Sequence, residues 1–281
     1  MSAFTNPKTL TIDQLNLVYY RMGVGPALLM VHGITTYSFI WRKLVPLLQD
    51  KYELILVDLA GCGDADKSLG VDLSLKHHAK VLCQMIRFLN IDRLHLVGHD
   101  VGGGICQIMA VSAPQLFCSL TLINTVAYDF WPVQPIISMR TPIIRQLAMA
   151  CLDIGALRFI VRRGMYHPER VTKELMALFW HPLKTSEGRK AFLYFAHCLN
   201  NKDLLEISDQ ISELAIPVLI VRGDADVYLS QSIAEKLHAD IPGSRYELLS
   251  TAGHFIQEDE PEQLAYIMSH FIEQADDHRT K

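Results

Sequence analysis

The chain of 281 residues is 50% hydrophobic and 20% charged, with a formal net charge of -4. This composition excludes a disordered polar chain, and its interspersed acids and bases offer no basic footprint for nucleic acid. The length suits one large α/β domain carrying an insertion. Met1 to Leu10 is polar and holds a proline, so it does not read as a signal peptide. The most apolar region, Ile136 to Val161, is interrupted by Arg140, Arg145, Asp153 and Arg158, whereas a membrane span needs ~20 nearly uncharged residues. Cysteines at 62, 83, 106, 118, 151 and 198 form no C-x-x-C pair. They read as free thiols packed as small hydrophobes, in a reducing, cytoplasmic setting.

In chain order, Leu10–Asp13 and Leu17–Arg21 suggest an antiparallel pair at one sheet edge. Short apolar runs then predict buried strands at Ala27–Val31, Glu53–Val57, Leu94–Val97 and Leu120–Ile123, resuming at Pro217–Val221 and Tyr246–Leu249. Trp41–Leu48, Leu75–Leu89, Gly102–Ala113 and Gln231–Leu237 carry apolar residues at helical spacing between them. This alternation is the mark of a parallel sheet covered by helices. From about Tyr128 to Ser212 the strands stop, and Pro132, Pro135, Pro142, Pro168 and Pro182 divide a Met- and aromatic-rich stretch into short helices. The strand series resumes afterwards, which favours a helical lid (128–212) inserted into one core (1–127 and 213–281) over a separate helical domain.

Gly98-His99-Asp100-Val101-Gly102-Gly103 lies directly between a predicted strand and a predicted helix. A sharp turn there needs small neighbours, and the glycines stand at the spacing of a G-x-S-x-G nucleophile elbow with aspartate in place of serine. The segment does not match the G-x-G-x-x-G dinucleotide fingerprint. It resembles the elbow of the α/β-hydrolases, in the branch with an aspartate nucleophile that includes epoxide hydrolases and haloalkane and haloacid dehalogenases. Four further motifs follow the family's order. His32-Gly33-Ile34 follows the third strand, and the resemblance implies an oxyanion hole from the N–H groups of Ile34 and Val101. The Asp58-Leu59-Ala60-Gly61-Cys62-Gly63 turn reads as structural. Arg222-Gly223-Asp224-Ala225-Asp226 implies Asp226 as the acid, with Asp224 as the nearby alternative, and Gly253-His254 implies the base. The implied fold is a mostly parallel eight-stranded sheet flanked by helices, with a cap.

A carboxylate nucleophile suits a saturated carbon bearing a leaving group, because displacement gives an ordinary alkyl ester. His254 would activate water to hydrolyse the Asp100 ester while Asp226 orients the imidazole. That chemistry asks for no metal or organic cofactor, only a small apolar organic substrate and water. An epoxide leaves as an alkoxide and needs a proton donor, which the family takes from lid tyrosines. Tyr194 is the preferred candidate, with Tyr166 and Tyr128 behind it. Dehalogenases commonly place tryptophan after the nucleophile, where this chain has Val101, although Trp131 and Trp180 could serve a halide or line the pocket beside His99. Position 124 is asparagine, so an acid after the sixth strand is excluded. An epoxide hydrolase is thus the first expectation and a haloalkane dehalogenase the alternative. An epoxide-cyclising biosynthetic enzyme and a non-catalytic ligand-binding relative are further readings. His77, His78 and His181 lack a partner set for a metal, no nucleic-acid or membrane partner is expected, and a homodimer is compatible with the sequence.

Overall fold

The computed structural model describes residues 3–129 and 154–277. Strands β1 (Lys8–Ile12) and β2 (Leu15–Met22) form a hairpin whose last pair is Ile12 with Leu15. Asp13 and Gln14 make the two-residue turn, with φ of 48° and 68°, the left-handed backbone that tight hairpins require. The hairpin edges a single eight-stranded sheet of order β1-β2-β4-β3-β5-β6-β7-β8. Only β2 runs against its neighbours, and the strands from β4 to β8 are parallel.

Every residue of β3 (Ala27–Val31), β5 (Leu94–Asp100), β6 (Phe117–Thr125) and β7 (Val218–Gly223) is buried. In β4 (Glu53–Asp58) only the first residue is not, while β8 (Arg245–Leu249) is a partly exposed edge. Strands covered on both faces lose the polar alternation of a half-exposed sheet, which is why they read as continuous apolar runs.

The helical expectations mostly hold. Helix α2 (Leu75–Phe88) starts at Ser74, whose side chain accepts from the His77 N–H, and α3 (Val101–Ser112) follows β5 without a linker. The helix expected over 41–48 is instead a 3-10 turn at Ser38–Trp41 followed by one-turn α1 (Val45–Leu48). Pro46 stands in the first turn of α1, where its missing N–H is tolerated, and it cannot lie mid-helix without losing a bond.

Between β6 and β7 the described chain is helical: α4 (Ile154–Arg163), α5 (Lys173–Trp180), α6 (Ser186–Cys198) and α7 (Lys202–Leu205). The 3-10 turns Pro168–Arg170 and His181–Leu183 begin at or beside the expected prolines, whereas Pro132, Pro135 and Pro142 lie outside the described residues. This helical region fits a cap. After β7 come α8 (Gln231–Asp240), one-turn α9 (Ile256–Asp259) and α10 (Pro261–Asp277). Among the described residues no helix is long and apolar enough to cross a membrane.

The strand order itself selects the place for a site. Strand β3 pairs with β4 on one side and β5 on the other, so the chain leaves this centre in opposite directions. A crevice opens beyond the carboxyl ends of such strands, the usual ligand position in open α/β sheets.

Candidate active site

Two backbone segments meet at that crevice. Asp100 closes β5 and caps α3 at φ 55° and ψ -123°, a conformation that costs a non-glycine residue about 1–3 kcal/mol. Its neighbours explain the glycines. A Cβ on Gly98 would stand 2.6 Å from the Gly102 oxygen, and one on Gly102 only 2.3 Å from the Val31 oxygen. From β3 comes the second segment, where a Cβ on Gly33 would stand 2.6 Å from Asp100 Oδ2. That opening lets the Ile34 N–H donate to Asp100 Oδ2 at 3.0 Å. The Val101 N–H, at the start of α3, also pulls the Asp100 carboxyl down. The two expected oxyanion-hole donors therefore converge on one side chain. Burial raises the Asp100 carboxyl above its ordinary value, and the positive field of His254 and these two N–H groups oppose that rise.

His254 and Asp226 come from the loops after β8 and β7. His254 Nδ1 donates to Asp226 Oδ2 at 2.9 Å, and both residues are buried. This bond fixes the tautomer and leaves Nε2 with a lone pair. Asp226 Oδ1 accepts from the N–H groups of Tyr228 (2.8 Å) and Leu229 (3.2 Å), and the buried Arg222 guanidinium stands 3.8 Å from Oδ2. Burial alone would raise the Asp226 carboxyl, but His254, these N–H groups and Arg222 outweigh it and hold it below the usual value. His254 moves the other way: burial opposes its charge, and the Asp226 partner nevertheless lifts it above an ordinary imidazole. Asp224, the alternative acid, is exposed.

Residues with little sequence signal hold the His254 loop. Asn124 Nδ2 donates to the carbonyls of Gly253 and His254, both at 2.9 Å, while its Oδ1 accepts from the Gly223 N–H at 3.0 Å. Asn124 thus ties the acid's strand to the histidine's loop, from the position where an acid was excluded. Tyr228 lays its ring edge against His254 at 5.2 Å and donates its hydroxyl to the Ile160 carbonyl of α4 at 2.6 Å. Its place two residues after Asp226 was the one available clue.

Several sequence candidates stand elsewhere. His99, expected to line a pocket, is wholly buried beneath the site and donates from Nε2 to the His254 carbonyl at 3.0 Å. Burial pushes its imidazole down to about 3, so it is a neutral support rather than a substrate contact. Tyr194 donates its hydroxyl to the Val71 carbonyl at 2.9 Å, beside Cys198, so the preferred leaving-group donor is committed to the loop before α2. Tyr128 donates to Asp240 Oδ2 at 2.6 Å with Lys236 over its ring, which pins it against α8. Helical periodicity cannot say which face of a short cap helix meets the core, and that choice decides the Tyr194 hydroxyl, whereas Tyr128 stands in the turn after β6. Tyr166 is 43% exposed, and its hydroxyl makes no hydrogen bond among the described residues. Trp180 is partly buried against the core at the end of α5, and Trp131 lies outside the described residues.

Three further histidines have structural partners. His32 Nε2 accepts from the Leu59 N–H at 3.0 Å, His78 bonds the Ser74 and Ala60 carbonyls, and His181 bonds Asp64. The Asp58 turn is likewise closed on itself through the Ser38 and Asp64 N–H groups. The cysteines 62, 83, 106 and 118 are buried free thiols, and Cys198 is half-buried. One group of possible metal ligands occurs among the described residues, His95, Cys118 and Asp276, and it lies where β5 and β6 begin, at the far end from Asp100.

Residues 26–145 match a family model described as the alpha/beta hydrolase fold. The uncharacterized hydrolase YugF of Bacillus subtilis is 27% identical over 277 residues, covering 97% of this chain and all of that protein. Haloalkane dehalogenase 2 of Mycobacterium tuberculosis is also 27% identical, over 88% of each chain. The solved structure of the epoxide hydrolase CorEH superposes with a TM-score of 0.82 over 96% of this chain and 99% of that one, at 18% identity, which shows a shared fold. The sheet order, the motifs at its carboxyl edge and these likenesses agree on the α/β-hydrolase fold, and the chain is similar to a haloalkane dehalogenase in sequence and to an epoxide hydrolase in fold.

Proposed function

We propose that this protein is a hydrolase that displaces a leaving group from saturated carbon with the Asp100 carboxylate, forming an alkyl ester that water then cleaves. One observation carries the reading: an aspartate, not a serine, occupies the strained elbow with its oxygen held by the Ile34 N–H. Attack by a carboxylate on a carbonyl would give a reactive anhydride, whereas attack on an alkyl carbon gives a stable ester. His254, oriented by Asp226, takes a proton from water as it adds to the ester carbonyl. The developing oxyanion falls where Asp100 Oδ2 now sits, facing the Ile34 and Val101 N–H groups. Residues 128–212 form the cap over a small apolar organic substrate, and 1–127 with 213–281 form the core.

Two leaving groups fit this chemistry. An epoxide needs a proton donor, and Tyr166 is the one of the three tyrosine candidates whose hydroxyl is uncommitted among the described residues. An alkyl halide needs no proton, and the likeness to haloalkane dehalogenase 2 favours it as the second reading. Trapping separates them. His254→Gln protein is incubated with styrene oxide and, separately, with bromobutane, and its intact mass is measured. A stable adduct on the Asp100 peptide identifies the accepted class, while no adduct from a broad panel of either class refutes the alkyl-ester reading. Tyr166→Phe should slow adduct formation from the epoxide alone, and Tyr194→Phe should leave both rates within about twofold, since its hydroxyl serves the Val71 carbonyl.

A further inference from the structure

Beside His254 stands a second buried carboxylate that the chemistry above does not use. Asp259 closes α9 and is 1% exposed. Its Oδ2 accepts from the Gly253 N–H and from the Tyr166 N–H, both at 2.9 Å, and its Oδ1 accepts from the His167 N–H at 3.0 Å. Gly253 immediately precedes His254, whereas Tyr166 and His167 belong to the turn that leaves α4 in the cap. The same turn reaches back directly: the Gly164 carbonyl accepts from the His254 N–H at 2.7 Å. Arg170 then donates to the Glu258 carbonyl at 3.3 Å and to the Asp259 carbonyl, and Glu258 is itself paired with Arg42 and Lys43.

The glycines show that this contact is built for close approach. A Cβ on Gly253 would stand 2.5 Å from the Gly164 oxygen, and one on Gly164 would stand 2.8 Å from the rings of Phe255 and Tyr228. Backbone therefore lies directly on backbone, with one side chain accepting three N–H groups from both sides. An aspartate meets that demand because both oxygens only accept. Asparagine would turn an NH2 group toward at least one of those donors.

We propose that Asp259 is a positioning residue: it welds the cap turn Gly164–His167 to the Gly253–His254 loop and so holds the imidazole in register with the Asp100 ester. The inference rests on the alkyl-ester reading and adds to it a link between the cap and one half-reaction. His254 acts only when water cleaves the ester, so loosening this weld slows hydrolysis and spares alkylation. Buried hydrogen bonds to a carboxylate also stabilise the fold, so the test needs a readout that stability alone does not move.

That readout is the covalent ester at steady state. Asp259→Asn is mixed with styrene oxide or bromobutane, whichever gives an adduct with His254→Gln, and intact mass is followed beside kcat and KM. The expected result is at least about a tenfold fall in kcat, within the range general-base catalysis supplies, with KM falling in parallel, kcat/KM within about threefold of wild type and ester accumulating on Asp100. Gly253→Ala pushes the same two segments apart without touching the carboxylate and should accumulate ester too, which keeps the test open if Asp259→Asn folds poorly. Ester in His254→Gln but none in either of these variants overturns this inference alone. No ester in His254→Gln overturns the alkyl-ester reading, and this inference with it.

Discussion

The His254–Asp226 pair carries a pH signature that can be read in two ways. The proposed water attack needs the neutral imidazole, and Asp226 raises the His254 value above the ordinary 6.5. The acid limb of kcat should therefore lie above pH 6.5, and Asp226→Asn should move it down while lowering kcat by about 10²–10⁴-fold. A kcat–pH profile measures both, and a limb at or below 6.5 in the native protein would refute the assignment of His254 as the base. Stability carries the opposite sign for each partner. A raised His254 stabilises fully below about pH 6.5, and that share is lost as pH rises through its folded value. A lowered Asp226 stabilises above about pH 3.9, and its share is lost as pH falls through its folded value. At this scale the sequence was most legible where chemistry restricts the residue type. Asp100, Asp226 and His254 each stand at or just after a strand end, and the structure bonds His254 to Asp226. Asn124 and His99 were not legible as supports, because a buried amide or imidazole can face any neighbour.

At the scale of elements, the turn from β5 to α3 is specified by what it excludes. Gly102 has ordinary helical backbone, yet its missing side chain lets the helix sit against the Val31 and His32 carbonyls. Gly102→Ala places a methyl group against rigid backbone and should cost about 1–3 kcal/mol, the usual price of overpacking. It should also displace the Val101 N–H from Asp100. Urea unfolding and ester trapping check the two effects, and a variant as stable and reactive as wild type would show that the elbow tolerates the shift. The strands were legible for a related reason, since burial on both faces demands uninterrupted apolar runs. The helix expected over 41–48 was misread because apolar spacing alone ignores where Pro46 permits a helix to start.

For the whole molecule, packing buries four of the five described thiols. Burial pushes Cys62 up to about 12 and Cys83 up to about 11, and Cys106 rises as well, so thiolate is scarce at all three at neutral pH. Burial raises the Cys198 thiol too, but among the five described cysteines it alone is not buried, so it should react first with iodoacetamide in the native protein, and all five should react in urea. Peptide mass mapping reads this directly. Rapid native labelling of Cys62 or Cys106 would mean that the core opens far more readily than its packing allows. The aromatic surplus of the cap also takes on a definite meaning at this scale. Phe179 packs edge-on against Phe39 and Phe255, next to His254, whereas Phe159 faces solvent.

By itself the sequence determined the strand series, the elbow and the order of the three candidate site residues. Those features follow from local demands: apolar runs for buried strands, glycine where backbones nearly touch, and ionisable groups at strand ends. Tertiary structure decided everything that depends on the direction a side chain takes. It sent the hydroxyls of Tyr194 and Tyr128 to Val71 and Asp240, placed His99 beneath the histidine loop, and brought Asp259 between that loop and the cap. A hydroxyl or carboxylate satisfies whichever donors and acceptors packing sets before it, and partners 92 to 155 residues away in sequence, as all of these but Gly253 are, leave no periodicity to read.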